Sequence, residues 1–150
     1  MKKSVLLITL IAVFASTAFT QNKAEEVKAI KEVIQSAYVE GLQNEGDAAK
    51  IDAGFHPDFD LLIPEGDQLK RYAIKDWKKN TMKKREAGKL PLPKDRQVSV
   101  TFEFVDVEGT AATAKIKFLV GKDLRYIDYI SLYKFGENWK IVSKIFHEIK

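Results

Sequence analysis

The run from Arg96 to Ile149 constrains this chain more than any other part of it. Four long stretches rich in β-branched and aromatic residues follow one another: Arg96–Asp106, Thr110–Val120, Leu124–Phe135 and Asn138–Ile149. Only short turns separate them. Parallel neighbours need a crossover of a dozen or more residues, so four strands joined this tightly form an antiparallel meander. The first pair surrounds Val107-Glu108-Gly109. Read as a three-residue loop with Gly109 left-handed, this places Phe104 opposite Ala112, Phe102 opposite Ala114 and Val100 opposite Ile116. One face of the pair is then apolar, and the other carries Thr101, Glu103, Thr113, Lys115 and Lys117.

The last pair is joined by Gly136-Glu137, which suits a two-residue turn with glycine first. The register that follows sets Leu132 opposite Ile141, Ile130 opposite Ser143, Asp128 opposite Ile145 and Tyr126 opposite His147. Neither face is fully polar, so both are partly covered. The aliphatic face, with Asp128, Ser143 and His147, is expected to point inward against the first helix. The aromatic and lysine face, with Tyr129, Tyr133, Phe135, Lys140, Lys144 and Phe146, is expected to point outward, toward a second copy of the chain in a homodimer.

Upstream of the meander the period changes. Val27, Ile30, Ile34, Ala37, Tyr38 and Leu42 fall at helical spacing between Ala24 and Gln43, with charges on the opposite face. Asn44-Glu45-Gly46 ends this helix. Asp47 can cap a short second helix, and Gly54 can end it in a left-handed conformation. His56-Pro57 forces extension, because the residue before proline avoids helical angles. Phe59–Ile63 and Gln68–Ala73 flank the turn-rich Pro64-Glu65-Gly66-Asp67 and read as a hairpin. A basic helix follows from Lys75 to Glu86, closed by Gly88 and the stretch Leu90-Pro91-Leu92-Pro93.

The first twenty residues have a different logic. Lys2 and Lys3 precede an apolar run from Val5 to Phe14, and the small residues Ala15, Ser16, Thr17 and Ala18 follow. A charged start, a short apolar core and a small-residue exit make a secretory signal peptide. The run falls short of the roughly 20 apolar residues a bilayer requires, so no stable membrane anchor is expected after cleavage. Ala18 and Thr20 both satisfy the cleavage rule, and Thr20 is preferred. This gives a signal segment over 1–20 and a single domain over 21–150, exported to the periplasm or the extracellular space. The chain has no cysteine, which excludes a disulfide framework and thiol catalysis.

Loss of Lys2 and Lys3 lowers the formal charge from +4 to +2, and that small total conceals a polarised chain. Between Lys70 and Arg96 eleven basic residues face three acidic ones, a net +8, whereas the rest of the mature chain carries −6. Such a field can steer an anion toward one end of the domain. Nucleic acid is not the expected partner, because neither a groove-reading motif nor an aromatic stacking motif accompanies the charge.

Helix, short helix, His-Pro-Asp, hairpin, helix and four-stranded meander together resemble the cone-shaped α+β fold of the nuclear transport factor 2-like superfamily. The chain is most similar to its branch of secreted bacterial proteins named for putative lumazine binding. Three stretches carry the resemblance: Tyr38-Val39-Glu40-Gly41, Phe55-His56-Pro57-Asp58, and Asp128-Tyr129-Ile130-Ser131-Leu132-Tyr133-Lys134 continuing to Trp139-Lys140-Ile141-Val142. It implies N-terminal helices packed on a strongly curved, mostly antiparallel sheet, a small heterocyclic ligand and no cofactor. Relatives of this fold include isomerases, dehydratases, cyclases and non-catalytic carriers, so the fold by itself selects no function.

Inside an apolar cone a carboxylate resists ionisation and becomes a competent base near neutrality. Asp128 is the candidate, with Tyr38 as hydrogen-bond donor to a developing oxyanion and His147 as proton shuttle. The corresponding ligand-binding set is Tyr38, His56, Tyr126, Asp128, Ser143 and His147. His56 and Asp58 alone do not make a metal site, which needs three or four ligands in a chain with only two histidines. Two readings stay open: a non-catalytic small-molecule pocket, and an acid–base isomerase or lyase that uses Asp128.

Overall fold

The computed structural model describes residues 22–150, and the expected signal segment lies outside the described residues. Helix α1 runs over residues 22–45 and changes winding midway, so that Ile34–Glu45 is a π-helix. The wider turn brings residues five apart onto one line. Ile34, Val39 and Asn44 are therefore all buried, beside the expected Ala37, Tyr38 and Leu42. Gly46 ends the helix at φ 65°, with its N–H on Gly41 O. Asn44 is not a breaker. Its side chain donates to Val98 O at 2.9 Å and accepts from Val98 N at 2.8 Å, tying the end of α1 to the first strand of the meander.

Asp47 caps α2 (Ala48–Gly54) by accepting from the N–H groups of Ala49 and Lys50. Gly54 has no left-handed backbone, contrary to expectation. It lies within the helix because a Cβ there would collide with Ala37 Cβ, and its absence lets α2 lie against α1. The hairpin β1 (Phe55–Glu65) and β2 (Gln68–Ala73) turns through Gly66-Asp67, with Gly66 at φ 60°. Helix α3 (Ile74–Glu86) follows, and β3 (Val98–Glu108), β4 (Ala111–Val120), β5 (Asp123–Phe135) and β6 (Asn138–Glu148) complete the meander.

The six strands form one sheet in the order β2-β1-β6-β5-β4-β3, antiparallel except where β6 lies parallel to β1. Three helices pack on this curved, open sheet, which makes an α+β fold. Curvature comes from bulges, each of which adds a residue to one strand and increases its bend and twist. One is at Glu103 in β3, one at Arg125 in β5 and one at Val142 in β6.

A different turn and the Glu103 bulge overturn the β3–β4 register expected from the sequence, and the Val142 bulge overturns the β5–β6 register beyond Ile141. The β3–β4 turn is Gly109-Thr110 rather than a three-residue loop, so Glu108 meets Ala111 and Phe104 meets Lys115, and the extra residue at Glu103 then sets Phe102 opposite Ile116. Val98, Val100, Phe102, Val105 and Val107 take the inner face, and Phe104 is exposed. In the last hairpin Phe135 opposite Asn138 and Leu132 opposite Ile141 are as expected. Beyond Val142 the strand is shifted by one residue, so Ser131 meets Ser143, Ile130 meets Lys144 and Asp128 meets Phe146. A one-residue shift exchanges the two faces of a strand. Lys144 and Phe146 turn inward, while Ile145 and His147 are exposed and Ser143 leaves the inner face. The physical reason is Asp128. A carboxylate with no exposed surface needs a cationic partner, and the bulge brings Lys144 to it.

Candidate functional site

Asp128 projects from the centre of β5 with 0% exposure. Its Oδ1 accepts from Lys144 Nζ at 2.8 Å and its Oδ2 accepts from Tyr38 Oη at 2.8 Å. Each partner comes from a different element: Tyr38 from the π-wound half of α1, and Lys144 from β6 just past its bulge. The Lys144 ammonium also lies 5.1 Å from the Tyr38 ring centroid and 5.0 Å from that of Phe146, within cation–π range. Burial lowers the Lys144 ammonium from its ordinary value of 10.5, with the Asp128 charge opposing the shift. Burial, and next the adjacent Asp128 carboxylate, push the Tyr38 phenol well above its ordinary value of 10.

Above this triad lies a cavity of about 950 Å³ between α1, α3, the α3–β3 connection and the concave sheet. Tyr38 and Lys144 form part of its wall, whereas Asp128 sits behind them. Its apolar surface combines aliphatic residues such as Leu42, Leu61 and Leu90 with aromatic ones: Trp77 from α3, Phe118 from β4, Tyr126 from β5 and Phe146 from β6. They brace one another, with Tyr38 at 6.0 Å from Trp77 and 5.8 Å from Phe118, and Tyr126 at 5.6 Å from Phe118 and 5.5 Å from Phe146. Ring contacts of this kind restrict ring orientation along this side of the cavity.

Of the residues singled out from the sequence, Tyr38, Tyr126 and Asp128 come together here. His147 and Ser143 do not, because the Val142 bulge takes both away from the inner face. His56 is also elsewhere. Its ring stacks on Phe135 at 4.7 Å, and its Nδ1 accepts from the Asp58 N–H at 3.2 Å, which orders the entry into β1. Lys144, Trp77, Phe118 and Phe146 escaped the sequence reading. A signal for Lys144 did exist: an inward Asp128 requires a cation within reach, and β6 offers only Lys140 and Lys144.

Comparison with solved structures finds the same architecture repeatedly. An NTF2-like protein of unknown function from Shewanella baltica OS155 is 25% identical with a TM-score of 0.63, covering 85% of this chain and 96% of that one. One from Silicibacter pomeroyi DSS-3 is 16% identical with a TM-score of 0.67, covering 84% and 98%. A third, from Methylobacillus flagellatus KT, is 23% identical with a TM-score of 0.59, covering 84% and 94%. No curated protein matches the sequence. The family described as putative lumazine-binding matches residues 25–147, which include every strand of the sheet except the last residue of β6. By that match, over a fold that its structural neighbours share, the chain belongs to the putative lumazine-binding family.

Proposed function

We propose that this chain is an exported domain that binds a small heteroaromatic molecule in the cavity above Tyr38 and Lys144. The observation that carries this reading is the cavity wall. Tyr38, Trp77, Phe118, Tyr126 and Phe146 form a chain of ring contacts along one side of a space large enough for a fused-ring ligand. A few polar groups in a mostly apolar cavity are what ligand sites use to fix orientation. The family description supports the same class of ligand. Mass spectrometry of small molecules co-purified from the native host, together with a thermal-shift panel of lumazines, pterins and flavins, tests the reading. A retained ligand or a saturable shift is expected. An empty protein that responds to no member of the panel overturns it.

The acid–base alternative rests on the 2.8 Å bond between Tyr38 and Asp128. Against it, both Asp128 oxygens already have partners, and the residue lies behind the cavity wall rather than on it. To act as a base, Asp128 would have to release Lys144 or Tyr38 while itself fully buried. Binding without catalysis asks nothing of the kind. Turnover that disappears in Asp128→Asn while ligand affinity is unchanged would reverse this preference.

The same reading includes export after cleavage at Thr20 and pairing of two copies through the outer sheet face. Phe104, Lys115, Tyr129 and Ile145 form one cross-strand row on that face, and its three apolar members are 46%, 40% and 51% exposed. The intact mass of the exported protein should correspond to a chain beginning at Gln21. Light scattering should give a dimer that Tyr129→Glu converts to monomer; a wild-type monomer at high concentration removes the pairing.

A further inference from the structure

The mouth of the cavity has a charge that its interior lacks. Lys84 from α3, Lys89 from the following turn and Arg96 from the short 3-10 segment Lys94–Arg96 all contribute to the wall, and all three are exposed. None has an ion-pair or side-chain hydrogen-bond partner among the described residues. Several basic residues elsewhere do: Lys50 bonds Glu40 and Glu45, Arg71 bonds Asp60, Lys78 bonds Asp52 and Lys134 bonds Glu26. What sets Lys84, Lys89 and Arg96 apart from the other cations of their stretch unpaired among the described residues, such as Lys79, Lys83 and Lys94, is their place in the cavity wall. At the base of the cavity, Lys144 is already matched by Asp128. The wall contains one carboxylate, Glu148 on β6, so cations outnumber it at the mouth. The interior is aromatic and electrically balanced, and the surplus positive charge is confined to the entrance. A ligand complementary to that arrangement is itself divided, with a ring at one end and a negative group at the other.

Resting on the reading of the cavity as a small-molecule site, we infer that its ligand is an aromatic anion bound ring-first, with a carboxylate, sulfonate or phosphate held at the mouth by Lys84, Lys89 and Arg96. The rings of Trp77, Phe118, Tyr126 and Phe146 take the flat body. Exposed charges attract over about a Debye length, roughly 8 Å at physiological ionic strength, so the same cations also gather the ligand from solution. The inference gives a role to the +8 stretch that the fold alone does not need.

A matched pair of fluorescent probes tests it on the mature protein. 8-Anilinonaphthalene-1-sulfonate and N-phenyl-1-naphthylamine share the same ring system and differ in the sulfonate. The sulfonate is expected to bind about tenfold more tightly at about 20 mM salt, since three exposed pairings each worth a small factor combine to that size. At about 300 mM salt the gap should narrow. Replacing Lys84, Lys89 and Arg96 together by glutamine should abolish the preference, lowering the affinity for the sulfonate far more than that for the neutral probe. Glutamine at Lys79, Lys83 and Lys94, which lie on the same stretch but outside the cavity wall, should preserve it. Equal affinity of the wild type for both probes overturns the anion inference and leaves the cavity reading standing. Loss of the preference in the second variant also overturns it, by showing a general field rather than a seat. Binding of neither probe removes both readings together.

Discussion

Lys144 Nζ donates to Asp128 Oδ1 at 2.8 Å between two side chains that are 7% and 0% exposed, and the contact exists because β6 has one residue more than its partner strand at Val142. A buried pair of this kind is weak evidence for stability as a pair, but removing one member leaves the other charge uncompensated. Asp128→Ala or Lys144→Ala should each destabilise the domain by about 3–5 kcal/mol. The apolar double variant Asp128→Leu/Lys144→Met should regain most of that loss, as followed by urea denaturation. A single variant with wild-type stability would refute the buried pair.

Tyr38 gives the alkaline limit. Its phenol is raised above 10, so the folded protein keeps a proton that the unfolded chain releases as pH passes that value. The stabilisation from this group is therefore complete below pH 10 and declines above it, as pH rises toward the folded-state value. Ultraviolet titration of wild type and Tyr38→Phe should superimpose until the protein unfolds, and Tyr38→Phe should lose stability less steeply above pH 10. Early ionisation of one extra phenol in the wild type would contradict this.

Glu26 gives the acid limit. Its Oε1 accepts from Lys134 Nζ and its Oε2 from Trp139 Nε1, both at 2.6 Å, so it fastens α1 to the last hairpin. The hydrogen bond from Lys134, and next the one from Trp139, hold its carboxyl below the ordinary 4.5. Its contribution is present above pH 4.5 and is lost as pH falls through the lower folded-state value. Glu26→Gln should cost about 1–3 kcal/mol at neutral pH. The gap from wild type should close in urea melts at about pH 3, and a gap independent of pH would exclude this linkage.

Gly54 sets how closely α2 approaches α1. Gly54→Ala should destabilise by about 1–3 kcal/mol through overpacking against Ala37. Ala37→Gly in the same chain should relieve the clash, giving a positive coupling in a double-mutant cycle. Strictly additive effects would place the cost of Gly54→Ala elsewhere.

Much of the fold was legible because local chemistry decided it. Asp47 as a helix cap, a hairpin turn within Pro64-Glu65-Gly66-Asp67 and Gly136-Glu137 as the last turn each depend on residues a few positions apart. Bulges depend on the partner strand. Val142 and Glu103 look like ordinary strand residues, and only the need to place Phe102 inward and to pair Asp128 reveals which residue is left over. The inward positions of Tyr38 and Asp128 are therefore legible from their own face patterns, whereas Ser143 and His147 give way on the inner face to Lys144 and Phe146 through one unpaired residue. Asn44 has the same lesson. A polar residue near a glycine resembles a helix terminator until Val98 appears 54 positions later to take both of its hydrogen bonds.

The position of β6 has a consequence for how the chain must be made. Strand β6, the latest of the six in chain order, lies between β1 and β5, parallel to one and antiparallel to the other, and among the described strands it alone joins the first hairpin to the meander. Until Asn138–Glu148 is available, the two halves of the sheet present bare inner edges, and Asp128 has no cation. Such edges are templates for pairing with other chains. A polypeptide halted before Asn138 is thus a pair of sticky fragments rather than a slightly shorter domain. Completion of this fold waits on β6, and a chaperone that keeps the chain extended until Asn138–Glu148 has been made would be acting on these two edges.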